Sequence, residues 1–463
     1  MVNAAKDMLM NIHKIHFVGI GGSGMSPLAE ILFQKGYAIT GSDVNESDNI
    51  KRMRSLGITV WMQQTAENVQ DTELVVYTAA VSMDNPELAE AQKRGIPTIE
   101  RAQLLGEITS HYSKTVAVAG THGKTTTTSM LSQILIQGGF DPSVFIGGRL
   151  PLIGANGKAG ASDIMVCEAC EFKDHYLQMK PAISIILNVD ADHLDYFGSL
   201  ENVIASFNRF AQLTTEALIV NLDDAHAMKA VADMSDKKVI TYGVAETCEW
   251  TAHNISFVRG CFGVYDLHHN GEFFAHITLG VPGSHNIHNS MAAAAAAFLC
   301  GASAEQIAEG ILSFQGAGRR FEFLGEVDGI TIADDYAHHP TEITATLKTA
   351  KAMGYNRVWG IFQPFTFSRT ARHLNEFADS LRIADRVVVS DIMGSRETNE
   401  YQVSSQQITD QIEHAVYLPT FEEITDYVAA NAQSGDLILT MGGGDVYKCA
   451  RMIKAELEKK QSR

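Results

Sequence analysis

Short runs of apolar residues alternate along this chain with longer stretches whose apolar positions recur at helical spacing. The runs at 15–18, 74–79, 115–119, 164–167 and 183–187 are too short for helices and carry little polar alternation. They predict central strands of a parallel sheet. The stretch 25–34 reads as a helix, as does the one that runs through Ile136, and Asn85-Pro86-Glu87 opens another. Strand followed by helix, repeated, is the signature of a doubly wound parallel α/β sheet.

Further along, 250–280 alternates apolar with polar residues and predicts added antiparallel strands. The alanine-rich stretch 290–300 predicts the helix that closes this unit. A third α/β unit starts near Gly316, with strands expected at 330–333, 358–362, 386–390 and 436–441, the last running into the glycine turn Gly442-Gly443-Gly444. No repeat or low-complexity linker interrupts the pattern. Strand spacing sets boundaries near 112 and 316, hence domains 1–112, 113–316 and 317–463.

Length agrees, since 463 residues at about 150 per domain make three domains. Charge narrows the partners. With 36 Lys and Arg against 54 Asp and Glu, the net −18 repels polyanions and argues against a nucleic-acid or membrane-surface binder. Local loops can still bind phosphates, so nucleotides are not excluded. Six cysteines at irregular spacing are too few for a disulfide scaffold. Cys167 and Cys170 form a C-x-x-C, but without the second pair or neighbouring histidine of a zinc site they read as buried, unreactive thiols. The longest apolar stretch, 291–300, is about half a membrane span and mostly alanine, so it reads as a buried helix. No apolar run of signal-peptide length stands near the N-terminus. A soluble cytoplasmic protein is expected, with neither nucleic acid nor membrane as a partner.

The sharpest chemical signal follows the strand at 115–119. Gly120-Thr121-His122-Gly123-Lys124-Thr125 is a shortened G-x-x-G-K-T loop, with Val118 where a standard phosphate loop has its first glycine. A glycine turn between strand and helix exposes backbone N–H groups, and the helix start adds positive potential. Lys124 supplies a point charge for β- and γ-phosphates, Thr125 a hydroxyl for Mg²⁺, and Thr126, Thr127 and Thr128 follow. The plainer alternative is an ordinary turn with a surface lysine.

Glu168 follows the strand at 164–167, and His193 ends Asp190-Ala191-Asp192-His193 after the strand at 183–187. Strand C-termini of an open α/β sheet converge on the ligand crevice, so both side chains could reach a metal beside the phosphates. Mg²⁺ prefers oxygen ligands, so a histidine there suggests a second cation. Taken singly, each fits equally as a surface residue.

The first turn, Gly19-Ile20-Gly21-Gly22-Ser23-Gly24, fits G-x-G-x-x-G on spacing, and Asp43 is placed for a ribose hydroxyl. Alone this is weak; it supports a pyrophosphate-containing ligand or a purely structural turn. In the third unit, Asp334-Asp335-Tyr336-Ala337-His338-His339-Pro340 sets two carboxylates and two imidazoles at a strand end. Phe362-Gln363-Pro364 leads to Ser368-Arg369-Thr370, and Arg319-Arg320 falls at the expected hinge. Solvated loop charges are the alternative reading for these.

With these motifs assembled, the sequence resembles the Mur ligase family, in its alanine-adding branch. The matching text runs in order through nearly the whole chain: HFVGIGGSGMS at 16–26, GSD at 41–43, GTHGKTTTT at 120–128, EACE at 168–171 and DH at 192–193. It continues with HNIHN at 285–289, GRRF at 318–321, DDYAHHPTEI at 334–343 and FQPFTFSRT at 362–370. The resemblance implies an N-terminal Rossmann-like domain for the UDP-sugar, a central P-loop ATPase-type mononucleotide-binding domain, and a C-terminal Rossmann-like domain. It implies that ATP phosphorylates the lactyl carboxylate of UDP-N-acetylmuramate and that L-alanine attacks the acyl phosphate, in peptidoglycan precursor synthesis.

Carried over residue by residue, the resemblance gives Lys124 the ATP phosphates, with Gly120, Thr121, Gly123 and Thr126 around it. Thr125 would hold one Mg²⁺, and Glu168 with His193 a second. Asn286 and Asn289 would lie against adenine, with Arg320 and Asp335 completing the nucleotide site. Gly21, Gly22, Ser23, Gly24, Met25 and Ser26, with Asp43, would cradle the uridine diphosphate, and His122 would sit near the reacting carboxylate. Tyr336, His338 and Arg369 would line the alanine pocket, Arg369 pairing with the carboxylate. On this reading the catalytic candidates are Lys124, His122, Glu168, His193, His338 and Arg369.

Two departures matter. Phe365 stands where relatives usually carry the histidine of F-Q-P-H, so any polar role there is lost or moved. Residues 194–228 contain no lysine, which removes the carbamylated lysine that several sister ligases use. Other readings compete. A muropeptide-recycling ligase joins a whole tripeptide to the same nucleotide sugar, although GIGGSGMS, DDYAHHPTEI and SRT look more like the alanine-adding branch. A nucleotide-sugar sensor would have lost catalysis, which intact Lys124, Glu168 and His193 argue against. A NAD-dependent dehydrogenase explains only the first glycine turn.

Overall fold

The computed structural model describes residues 8–78, 81–395 and 397–461. Three sheets carry an α/β fold. The first has the order Thr59–Trp61, Ala38–Ser42, Lys14–Val18, Leu74–Tyr77, Thr98–Glu100, with every pair parallel. The chain steps outward from Lys14–Val18 on one side and then crosses to the other. That reversal opens a crevice at the strand C-termini, where the turn 19–24 lies. Of the strand expected at 74–79, the last residue, Ala79, lies outside the described residues.

The second sheet has ten strands. Its parallel heart runs Lys238–Gly243, Ala217–Asn221, Ile183–Ile186, Lys114–Ala119, Ile164–Glu168, Ser143–Leu150, and Ala155–Lys158 turns back antiparallel at one edge. Every residue of Ile183–Ile186 is buried, which is why the sequence there shows no alternation. Beyond Lys238–Gly243 lie Trp250–Val258, Phe262–His269 and Glu272–Pro282. The turns between these three are too short for anything but antiparallel neighbours, as the alternation at 250–280 predicts. The first of them nevertheless joins the sheet in parallel, Tyr242 opposite Trp250. The alanine-rich helix is His285–Leu299, longer at its start than expected, and Ala292 to Ala297 are all fully buried.

The third sheet runs Glu322–Val327, Ile330–Asp335, Asp436–Met441, Arg357–Phe362, Arg386–Val389, Ala415–Tyr417. Only its first strand is antiparallel. The strand expected at 330–333 is longer, so Asp334 and Asp335 are its last residues rather than loop residues.

The chain divides into two compact units: Met1–Asn254, Tyr265–Ile277 and His288–Phe314 in one, Ile255–Val264, Thr278–Ile287 and Gln315–Arg463 in the other. The first unit holds the first sheet and most of the second, and one apolar core runs through both, from Phe17 and Ile31 to Phe207 and Phe210. Between them Gly157 lies against Pro27, where an added β-carbon would stand 2.7 Å from the proline Cβ. In the second unit separate cores cover the faces of the third sheet. Among the described residues no helix is long and apolar enough to cross a membrane. All six cysteines are free, and burial pushes the thiols of Cys167 and Cys170 up, as inert cysteines require.

Candidate functional site

Strand Lys114–Ala119 delivers the chain to Gly120 (φ +149°), and Gly123 (φ +86°) is the N-cap of helix Lys124–Gln137. No side chain caps this helix, and its N-terminus brings the positive end of the helix dipole to the loop. A β-carbon at Gly123 would stand 2.7 Å from Asn289 Oδ1, which puts Asn289 against the loop.

Lys124 is the first residue of that helix. Its Nζ donates to the carbonyls of Gly120 and Thr121 and to Glu171 Oε1, the last two at 3.0 Å. Glu171 Oε2 stands 2.9 Å away. Burial works to lower the lysine pKa; Glu171, and more weakly Glu168, outweigh it and hold the ammonium above its ordinary range. The lysine is charged and folded back over its own loop. Glu171 appears in the sequence only as the end of EACE, yet it is the group that does most to raise the Lys124 pKa against burial.

The segment after strand Ile183–Ile186 braces the loop. The His122 N–H donates to Asn188 Oδ1 (2.8 Å), Asn188 Nδ2 donates to the His122 carbonyl (3.0 Å), and His122 Nε2 meets Asp190 Oδ2 at 3.2 Å. The Asp190 N–H donates to Thr121 Oγ1 at 2.9 Å. Thr125 is buried and Thr126 half-buried at the helix start, while Thr127 and Thr128 turn fully into the core. Glu168 is the last residue of Ile164–Glu168, and Gly147 faces its carboxylate so closely that a β-carbon there would collide with it. His193 takes a left-handed backbone (φ +52°), its ring 4.9 Å from that of Phe172, the residue after Glu171.

At the first glycine turn, Gly19 (φ +82°) donates to the Ser42 carbonyl, and Gly21 N donates to Asp43 Oδ2 at 2.9 Å. Asp43 Oδ1 accepts from the N–H groups of Val44 and Asn45, so this carboxylate orders the loop. Met25 and Ser26 donate back to the Gly22 carbonyl as helix Ser26–Gln34 begins.

The other candidates lie in the second unit. Asn286 Nδ2 donates to the Pro282 carbonyl at 2.7 Å. Arg320 lies 5.2 Å over the Tyr336 ring, and the His338 ring packs edge-on against Tyr336 at 5.2 Å. His338 Nδ1 faces the Tyr336 carbonyl at 2.9 Å. Phe365 packs 6.5 Å from the His338 ring, and the missing β-carbon of Gly443 would touch both, so the aromatic fills a place beside His338. Arg369 sits on helix Phe367–Arg372, whose N-cap is Thr366. Strands Ile330–Asp335 and Arg357–Phe362 flank Asp436–Met441 in parallel, so their C-terminal ends bring Asp335 and the segment leading to Arg369 to one edge of the sheet.

Asp335 accepts from the N–H groups of Phe321 and Ala337, both at 2.7 Å. Burial pushes its carboxyl up to about 6, against the opposing pull of Arg320 and these two N–H bonds. A folded pKa above the unfolded one means the fold favours the protonated acid, a contribution present at low pH and lost as pH rises through about 6. Asp335→Asn removes this titration. Its stability relative to wild type is expected to improve by about 2 kcal/mol between pH 4 and pH 8, read by denaturant unfolding at both. A difference that does not move with pH contradicts the assignment.

With the geometry in view, likeness to known proteins identifies the class. Family models match in three stretches, described as "Mur ligase family, catalytic domain" at 14–113, "Mur ligase middle domain" at 118–297 and "Mur ligase, glutamate ligase domain" at 319–444. The chain belongs to the Mur ligase family. It is 44% identical over 447 residues to the UDP-N-acetylmuramate–L-alanine ligase of Alkaliphilus metalliredigens, covering 96% of this chain and 97% of that one. The enzyme of the same name from Acetivibrio thermocellus is 43% identical, with 95% of each chain covered. Among solved structures, the UDP-N-acetylmuramate–alanine ligase of Thermotoga maritima superposes with a TM-score of 0.83 at 29% identity, covering 97% of this chain and 100% of that one. A murein peptide ligase of Psychrobacter arcticus gives 0.75 at 25%, covering 96% and 99%.

Proposed function

We propose that this chain is an ATP-dependent ligase that joins L-alanine to the lactyl carboxylate of UDP-N-acetylmuramate, through an acyl phosphate, in peptidoglycan precursor synthesis. The observation that carries this reading is full-length likeness, at 44% and 43% identity, to proteins named for that reaction. Domains 1–112, 113–316 and 317–463 would hold the nucleotide sugar, ATP and the amino acid in turn. With soluble nucleotides as substrates, we assign the reaction to the cytoplasm.

A carboxylate resists attack by an amine. Transfer of the γ-phosphoryl of ATP to one of its oxygens, with ADP leaving, makes an acyl phosphate. The alanine amine then attacks the carbonyl carbon and loses a proton, and inorganic phosphate leaves with the C–O bonding electrons. Positioning and charge stabilisation supply most of the rate. We assign Lys124 to the β- and γ-phosphates, within Gly120, Thr121, Gly123 and Thr126. His122, braced by Asp190, is assigned to the reacting carboxylate. Asn286, Asn289, Arg320 and Asp335 are assigned to the nucleotide, and Tyr336, His338 and Arg369 to alanine.

Mg²⁺ fits the residues present. Thr125 and Glu168 are hard oxygen donors at strand and helix ends beside Lys124, and Gly147 leaves the Glu168 carboxylate the room a side chain would take. Thr125 would hold one cation, and Glu168 with His193 a second, neutralising charge on the transferring phosphoryl when bound. Glu168→Gln and His193→Ala are each expected to raise the Mg²⁺ concentration for half-maximal rate severalfold. Unchanged Mg²⁺ dependence in both variants would make these residues structural. The overall reading is tested by mass spectrometry of the product from UDP-N-acetylmuramate, ATP and L-alanine. An alanine-bearing nucleotide sugar is expected, and its absence refutes the reading.

A further inference from the structure

The nucleotide sugar brings a diphosphate, yet the turn proposed to receive it carries no cation. Residues 19–26 are Gly, Ile, Gly, Gly, Ser, Gly, Met and Ser. Asp43 beside them is an anion, occupied by the N–H groups of Gly21, Val44 and Asn45. Among the described residues the N–H groups of Ser23 and Gly24 find no acceptor. Free backbone donors suit phosphate oxygens, but they do not balance two negative charges next to an aspartate.

One guanidinium lies on this turn. Arg101 begins helix Arg101–Thr109, directly after the edge strand Thr98–Glu100 of the same sheet. Its side chain runs over Gly24, whose missing β-carbon would stand 3.1 Å from Arg101 Cδ and 3.4 Å from Nε and Nη1. Arg101 Nη2 donates to His175 Nδ1 at 3.2 Å, and His175 Nε2 meets Glu100 Oε1 at 3.2 Å. Among the described residues no carboxylate pairs with Arg101 itself.

Folding alone does not account for this placement. A cation at the first helical residue faces the positive end of the macrodipole, where acidic side chains are favoured. A half-buried guanidinium whose side-chain partner is an imidazole rather than a carboxylate has lost hydration that the protein offsets only in part. An anionic ligand over Gly24 removes both penalties. Burial, and after it Arg101, hold the His175 imidazole below its usual pKa, so the ring stays a neutral acceptor that orients the guanidinium.

We infer that Arg101 binds the diphosphate of the nucleotide sugar over Gly24, with His175 as its positioning residue. This rests on the reading of the turn as the UDP-sugar site. Calorimetric titration of the full chain with UDP, uridine and ATP tests it. Wild type is expected to bind UDP at least about tenfold more tightly than uridine, and Arg101→Met to lose most of that preference while keeping its affinity for uridine and ATP. Arg101→Gln serves if methionine prevents folding. His175→Ala is expected to raise the KM for UDP-N-acetylmuramate with kcat little changed. An Arg101 variant with the wild-type preference overturns the inference, and so does one that loses uridine and UDP alike, which marks a structural residue. Wild-type protein that binds neither overturns the reading of the turn itself.

Discussion

Lys124→Ala is expected to abolish detectable ligation, with a fall in kcat of at least about a hundredfold, as for loss of one preorganised donor to a transition-state charge. The polar contacts of the ammonium go to its own loop and to Glu171. Truncation does leave Glu171, only 3% exposed, buried and charged without its partner, and the melting temperature should fall for that reason. Adding Glu171→Gln to Lys124→Ala removes the stranded charge and should recover the melt without recovering activity. Retention of more than about a tenth of wild-type turnover, a loss below about 1.4 kcal/mol, refutes the phosphate assignment.

Arg369→Lys is expected to raise the KM for alanine by about tenfold or more, as for a lost charged hydrogen bond. Alanine offers a methyl, an amine and a carboxylate, so most of its binding energy lies in the charged ends. A guanidinium grips a carboxylate with two parallel N–H bonds, and an ammonium cannot reproduce that fork. Thr366 caps the short helix that carries Arg369, which fixes where the side chain starts. The KM values for ATP and UDP-N-acetylmuramate should change much less. A rise in the nucleotide-sugar KM with an unchanged alanine KM moves Arg369 to a different pocket.

Much of this fold is legible in the sequence because parallel strands buried on both faces leave mostly apolar runs, as at Ile183–Ile186 and Asp436–Met441. Strands Thr59–Trp61 and Ala415–Tyr417 span three residues each, too short to show any period. Glu322–Val327 is partly exposed and irregular at Gly325 (φ +132°), which breaks its alternation. Asp334 and Asp335 look like loop residues because they are charged. They sit in a strand because Arg319 and Thr440 meet Asp334, and the N–H groups of Phe321 and Ala337 meet Asp335. Of those partners only Ala337 is a near neighbour in sequence; Arg319, Phe321 and Thr440 lie outside any local window.

The candidate site divides in the same way. The turn from Gly120 to Thr125 is legible because its whole device, glycines, lysine and hydroxyl, is contiguous. Glu171 and Arg101 carry no motif of their own. Each acquires meaning only from a contact across the fold, Glu171 with Lys124 and Arg101 with Gly24 and His175. Asp43 shows the converse, since spacing suggests a ribose contact while the fold gives its carboxylate three backbone N–H groups.

Phosphate release from ATP with UDP-N-acetylmuramate, measured in parallel with L-alanine, glycine, L-serine and the muropeptide tripeptide, tests the central claim most directly. Turnover is expected to be fastest with L-alanine and absent with the tripeptide. Tripeptide-dependent release matching that of alanine would make this chain a recycling ligase, and release that ignores the amino acid altogether would contradict ligation.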